Sequence, residues 1–485
     1  MMPKTIVERL ADFTVSSHFE NLPGEVTREC KRIVLDSIGC AVAATGLDHG
    51  RMGIAFARRV GAGTQESTVI GTSDRLSVFG AAFANAELIT TLDMDCVVPP
   101  GHVTPYVLPG ILAVGESLGA SGKEVITAVA ISHEMSLRFG KAMDTLRDTK
   151  DGKANPPKVF GFTSSIFGGT AAIGRLMKSS REIIANSLGI AGSISPVNSQ
   201  VAWSQHAPSS TIKGTAAGVL AHQILTAAQL GELGHRGDLR VLDDSEFGYA
   251  RFIGTSKWEP EHLVNGLGQE WLFPSMTSYK SYAHCRVMHG SMDCVIEIVD
   301  QHDIRPEEIE AIKVYVEGFT EQPVWLNRKI ERVHDAVFSM AHGIAMSAHR
   351  PAHGRAWLDS QLVFSRSVMA LMDKVTTEVH PDYAQLLAAS GSSRPAWVEL
   401  RARGQTFVRR KLYPKGSRSP EPGTYMTDDE LIGKFRRNTE GVLSPSSIDG
   451  LIDAILNLDG VADVARTLPM AGDVCAPLQI AAHVP

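Results

Sequence analysis

The sequence predicts a mainly α protein: a large helical domain built from both chain ends, with a smaller α+β domain inserted between them. Three observations carry this. At 485 residues the chain is longer than one compact core holds, so two domains are expected. Helical periodicity dominates up to residue 272, and alternating strand patterns appear after Pro274. Helical signals then return towards the C-terminus. The expected boundaries are 1–272 and 424–485 for the helical domain and 273–423 for the α+β insertion.

In the first part, Val26, Cys30, Ile33, Ile38 and Ala41 recur as one buried stripe of a helix would. Further helices are expected over Phe79 to Leu92, Leu108 to Leu118, Glu124 to Phe139, Ile166 to Met177 and Val219 to Leu233. Many are rich in Ala and Gly with few charges on any side, which suits close packing against other helices or at a subunit interface. After Pro274, Ile312, Val314 and Val316 alternate with polar neighbours, the pattern of a half-buried strand. The stretch AWVELRARGQTFVRRKLYP reads as two strands about a turn at Arg403 and Gly404. Helical stretches are expected near His334 to His349 and Asp359 to Lys374. Pro414 to Gly423 is a loop by composition, and Thr427 three residues before Glu430 is a capping-box start for a last group of helices.

The composition bounds the partners. A net charge of −6 gives no general attraction to nucleic acid or acidic membranes, so an anionic ligand has to be held by a few local cations. The six cysteines are scattered, without a CxxC pair or zinc-type spacing, which fits reduced thiols. The N-terminus lacks an apolar signal core and no run reaches the ~20 apolar residues of a membrane span. A soluble, cytoplasmic protein is expected.

Four places carry candidate chemistry. In LDMDCVVPPGH, Asp93 and Asp95 end a helix and His102 follows in a Pro/Gly loop. Carboxylates beside an imidazole on irregular backbone suit general acid–base work, while exposed polar residues at a helix end, or a DxD metal site, are the competing readings. No further Asp/Glu/His cluster lies nearby to complete a magnesium or zinc shell. In SSTIKGTAAG, Lys213 stands just before a small-residue helix, where an anion meets charge and free N–H groups together. A solvated lysine is the plain alternative. In SYKSYAHCRVMHGSMD, Lys280, His284, Cys285, Arg286 and His289 crowd the junction where the pattern changes, and clefts between domains are common ligand sites. A basic loop capped by a core histidine would look the same. The series His334, His342, His349 and His353 fits core or surface positions of helices and is given no role.

In their order, these segments resemble the MmgE/PrpD family, which includes 2-methylcitrate dehydratase, cis-aconitate decarboxylase and iminodisuccinate epimerase. The resemblance runs from LDSIGCAVAATG through ANAELITTLDMD, GHVTP and VLPGILAVGESLGASGKEVITAVA. It continues with Lys213 five residues before Gly218, then Lys280, Tyr282, Cys285 and His289, FSMAHGIAMS and DDELIGKFRRN. It implies an all-helical domain with an α+β lid, a homodimer, and no metal or organic cofactor. It also implies that Asp93, His102, Lys213, Lys280 and Cys285 line an active-site cleft. Two positions depart from the family pattern: Val97 replaces a threonine of decarboxylase-like members, and a histidine common before the Gly/Ala helix is missing at Phe160 or Gly161.

Together these readings give a hypothesis. A proton beside a carboxylate is weakly acidic, so a base alone cannot remove it at a useful rate, and cations must meet the charge that develops. Lys213 and Lys280 are the expected clamp, completed as a lid closes. His102 is the expected proton-transfer residue, oriented or assisted by Asp93, with His284 or Cys285 for a second transfer. Lys213, Lys280, His284, Arg286 and His289 are the expected contacts to a small polycarboxylate substrate. A 2-methylcitrate dehydratase-like hydro-lyase is the leading expectation. A decarboxylase or an epimerase is the alternative, and a non-catalytic polycarboxylate-binding or scaffold protein comes from a different class.

Overall fold

The computed structural model describes residues 3–475, apart from 146, 158, 160 and 197–199. The fold is mainly α. Each helix expected from the early part of the sequence is present: Val78–Thr91 and Ser165–Leu176 are shifted by one residue, and Gly24–Ala44, Thr104–Leu118, Gly122–Ala142 and Ile212–Glu232 run longer than expected. Helices Asp48–Val60 and Arg181–Ile194 add to them.

The small residues let these helices approach closely. A Cβ placed on Gly218 would meet the Phe83 ring at 2.7 Å, and one on Gly169 would meet Ile224 at 2.4 Å. The backbones of Ile212–Glu232, Val78–Thr91 and Ser165–Leu176 are therefore nearer than larger side chains permit. The C-terminal helix Asp428–Thr439 starts with the expected capping box, in which Thr427 accepts from Glu430 N and Glu430 accepts from Thr427 N. It packs on Gly24–Ala44, with Phe435 against Gly39. Lys434 Nζ donates to Asp36 Oδ1 at 2.6 Å and to the Met94 carbonyl at 2.7 Å, all of it buried.

A four-stranded sheet forms later in the chain, in the order Val375–Val379, Ile309–Val316, Ala396–Ala402, Gln405–Lys411. The first pair is parallel and the others antiparallel. Arg403 and Gly404 both take left-handed backbone, which makes the tight hairpin the sequence signalled. Val375–Val379 was not legible as a strand: it is short, lies at the sheet edge and alternates less cleanly. Two expected helices are each divided. Ser339 accepts from His342 N and starts Met340–His349 afresh after Val333–Ala336. Ser365 accepts from Val368 N and starts Arg366–Met372 after Ser360–Val363. A serine that caps a new helix ends the helical register before it. Among the described residues no helix is long and apolar enough to cross a membrane.

Candidate active site

Helix Val78–Thr91 ends at Leu92, and Asp93 follows in left-handed backbone, a conformation Asp tolerates better than most residues. The chain then turns through Pro99, Pro100 and Gly101, where Val98 and Gly101 exchange backbone hydrogen bonds of 2.9 and 2.8 Å. That turn carries His102 back beside the aspartates. His102 Nδ1 lies 2.8 Å from Asp95 Oδ2, and Nε2 lies 3.3 Å from Asp93 Oδ1. The segment leading to Lys280 docks on the same loop through paired backbone bonds between Val97 and Ser278, at 2.8 and 2.9 Å. Lys280 Nζ, fully buried, reaches the Asp93 carbonyl at 2.7 Å and Asp93 Oδ2 at 2.9 Å. Lys213 Nζ donates to Asp93 Oδ1. Lys213 stands in the first turn of Ile212–Glu232 rather than just before it, so its aliphatic stem is fixed by helix geometry.

The electrostatics follow from burial and pairing. Burial works against an ionised Asp93, but Lys213, Lys280 and His102 outweigh it and hold the carboxyl well below the usual range. Asp95 is likewise held low, burial being overcome chiefly by His102. Lys213 loses charge preference to burial and regains more from Asp93 and Asp95, so its ammonium is stabilised. His102 moves the other way: burial, helped by the two lysines, overrides the pull of Asp95 and lowers it from its ordinary value. The ring is therefore neutral near pH 7. Both carboxylates only accept, but Asp95 at 2.8 Å meets hydrogen-bond geometry whereas Asp93 at 3.3 Å is within ion-pair distance only, so in the neutral ring Nδ1 carries the hydrogen and Nε2 the lone pair. A proton taken up on Nε2 then finds Asp93 Oδ1 within reach.

Asp93, Asp95 and His102 also bring ligand atoms within 4.8 Å of one another, as a metal site would. Here two ammoniums already balance the two carboxylates, so the cluster offers no net negative charge to a dication.

Of the remaining candidates from the junction, His284 and Cys285 lie near enough to feel the charges of Asp93 and Lys280, while Arg286 and His289 turn to other partners. Arg286 donates to the Lys415 carbonyl and to Ser417 Oγ, both at 2.7 Å, and to His289 Nδ1 at 3.2 Å. His289 Nε2 donates to the His284 carbonyl at 3.0 Å. These side chains are spent on protein partners and hold the Pro414–Gly423 loop. His284 is completely buried against Gly343 and Trp357, and burial with His342 nearby pushes its pKa down to about 3. Cys285 is half-buried, and desolvation raises its thiol. Phe160 lies outside the described residues, and Gly161 packs on Pro100.

A small pocket opens beside Lys213 and Asp93, and two of its walls are His49 and His334. His49 was not singled out in the sequence and His334 was given no role there. The other members of the late histidine series are structural: His342 bonds the Val363 carbonyl, His349 bonds Ala345 and Ser367, and His353 bonds the Ser281 carbonyl. His49 sits in LDHGRMG, which has no spacing signal.

The chain thus buries a histidine, two aspartates and two lysines in one cluster, with Asp93 and Lys213 on the wall of the pocket, a grouping of the side-chain types that acid–base chemistry on anions uses. Comparison with known proteins is specific. Residues 8–261 match the MmgE/PrpD N-terminal domain and residues 282–459 the MmgE/PrpD C-terminal domain, and the chain belongs to the MmgE/PrpD family. It is 25% identical over 482 residues to cis-aconitate decarboxylase of Mus musculus, covering 96% of this chain and 92% of that protein. Cis-aconitate decarboxylase of Homo sapiens is 24% identical over 483 residues, covering 96% and 94%. The Aspergillus terreus protein of the same name is 23% identical over 486 residues, covering 93% and 92%.

Proposed function

We propose that this chain is a lyase that moves a proton beside a carboxylate of a small di- or tricarboxylic acid. The observation that carries the reading is the convergence of an Asp95-held His102 with two lysines on Asp93. Lys213 has N–H donors left for a substrate carboxylate after binding Asp93, and it lines the pocket. Lys280 is enclosed and acts through Asp93, keeping that carboxylate ionised and fixed. His102 Nε2 takes up or delivers the proton, and Asp93 steadies the imidazolium that forms. The charge that develops on the substrate is met by the Lys213 ammonium in a site shielded from water.

Decarboxylation is supported by the names of the similar proteins. Dehydration, the leading expectation from sequence, is the second reading, favoured by a second carboxylate–histidine pair at the pocket, Glu87 with His49. Movement of the sheet-bearing segment to close the pocket, a homodimer, work without a cofactor and a cytoplasmic location belong to the same proposal.

The test is proton NMR in D₂O with 2-methylcitrate, citrate, cis-aconitate and iminodisuccinate. Deuterium entering beside a carboxylate is the expected result. A new olefin identifies dehydration, lost carbon dioxide decarboxylation, and exchange alone epimerisation. A binding or scaffold protein would bind one of these acids without exchange, and that outcome sinks the proposal.

A further inference from the structure

His49 is the second residue of helix Asp48–Val60 and is more than nine-tenths buried. Both its ring nitrogens are buried without a hydrogen-bond partner among the described residues, although the ring forms part of the pocket wall beside Lys213. A buried imidazole with two unsatisfied nitrogens is unfavourable unless something else engages it. Behind it, Glu87 Oε2 stands 3.5 Å from His49 Nε2, near enough for charge attraction, and Glu87 is also buried. Two glycines make room for the pair. A Cβ at Gly214, next to Lys213, would lie 2.1 Å from His49 Cε1, and one at Gly53 would lie 2.7 Å from Glu87 Oε2. Two carboxylate–histidine pairs therefore stand close to the pocket: Asp95 with His102, next to the Asp93–Lys213 ion pair, and Glu87 behind His49, whose ring is on the pocket wall.

We propose that His49, backed by Glu87, is the second proton-transfer residue of this site, facing the substrate from the pocket wall while His102 acts beside Asp93. The inference rests on the proposal above that a proton beside a carboxylate is moved, and on its dehydration reading. For a β-hydroxy acid, His102 Nε2 takes the proton beside the carboxylate and the C–H electron pair becomes the new C=C bond. The C–O bond breaks, its pair leaves with oxygen, and a proton from a protonated His49 completes the water. One proton enters the protein at His102 and one leaves it at His49, so the sum is substrate to olefin and water. His284 also keeps both ring nitrogens buried without a hydrogen-bond partner, but among the described residues no carboxylate stands within ion-pair distance of it, and it is not on the pocket wall where His49 lies.

The experiment compares the wild-type chain with His49→Gln and Glu87→Gln, using whichever acid of the NMR panel exchanges or reacts. For His49→Gln, kcat should fall roughly 10²–10⁴-fold with KM within about threefold. Deuterium should still enter recovered substrate, because His102 still works. Glu87→Gln should lower kcat by less than His49→Gln does, with exchange retained, and it carries the test if His49→Gln does not fold by circular dichroism. Unchanged kcat in both variants overturns the proposal. So does a raised KM with kcat intact, which would make His49 an anion contact only, and so does parallel loss of exchange and turnover in a folded variant. A wild type that exchanges with no acid in the panel defeats the carbanion reading itself and this inference with it. An active wild type with an indifferent His49→Gln defeats the inference alone.

Discussion

The loop from Asp93 to His102 and the junction from His284 to His289 carry similar side chains, yet they use them in opposite ways. In the first, a tight Pro-Pro-Gly turn folds the imidazole onto two carboxylates, and lysines arrive from distant parts of the chain. Charges stay close to one another and to a pocket. In the second, Arg286 and His289 point at carbonyls and a serine of their own neighbourhood. Residue type alone does not distinguish a reactive cluster from a fastening. The difference lies in whether the polar atoms still face one another once the backbone has taken its share.

This contrast can be broken most directly at His102. His102→Ala should cut kcat by roughly 10²–10⁴-fold while the chain stays folded. A fall of less than tenfold, measured by steady-state kinetics, would place the chemistry elsewhere. Lys280→Met should lower stability by about 3–5 kcal/mol, because Asp93 is left buried with one partner fewer. Equilibrium denaturation checks this, and a change under 1 kcal/mol would contradict the buried pairing.

The pH dependence of stability separates buried neutral histidines from the ionised cluster. Burial pushes His133 down to about 4. The unfolded ring titrates near 6.5, so between those values the unfolded state binds the extra proton and stability falls as pH falls. The loss for His133 approaches about 3 kcal/mol by pH 4. Asp93, whose folded carboxyl is held low, adds its own loss only once pH drops below its unfolded value near 3.8. Denaturation curves at pH 7, 5, 4 and 3 test the order. A flat profile from 7 to 4 would contradict it.

Arg286→Met should cost about 1.5–3 kcal/mol for its lost charged hydrogen bonds, with kcat of the folded protein within about threefold. A large kcat loss in a fully folded variant would move Arg286 from fastening to chemistry. The smallest effect is at Cys285, whose raised thiol should react with iodoacetamide more slowly at pH 7 than a free cysteine does. Faster labelling would reveal a thiolate and return it to the list of acid–base groups.

Much of this was legible in the sequence, and the reasons are physical. Helices such as Gly122–Ala142 declare themselves because their apolar positions repeat with the helical period. The hairpin at Arg403 and Gly404 is announced by its turn residues between alternating strands. Asp93, His102, Lys213 and Lys280 came from resemblance plus local chemistry, and the structure brings these four together. Asp95 was noticed only as a neighbour of Asp93, and its hold on Nδ1 depends on a turn that spacing does not encode. His49 gave no signal. Its surroundings, Glu87, Gly214 and His334, are scattered along the chain and meet only through tertiary packing. The serines that divide the later helices look like any others until their oxygens are seen on backbone N–H groups.

The hydrogen bond from Lys434 to the Met94 carbonyl links the last helices to the peptide between the two aspartates. Synthesis runs from the N-terminus, so a ribosome that has made every candidate reactive side chain has still not made the donor that holds their loop. The chain emerges with its chemistry written and this one bond still missing, and the bond can form only after residue 434 has left the exit tunnel. A nascent chain released before that point would carry His102 and both lysines but lack the donor to the Met94 carbonyl.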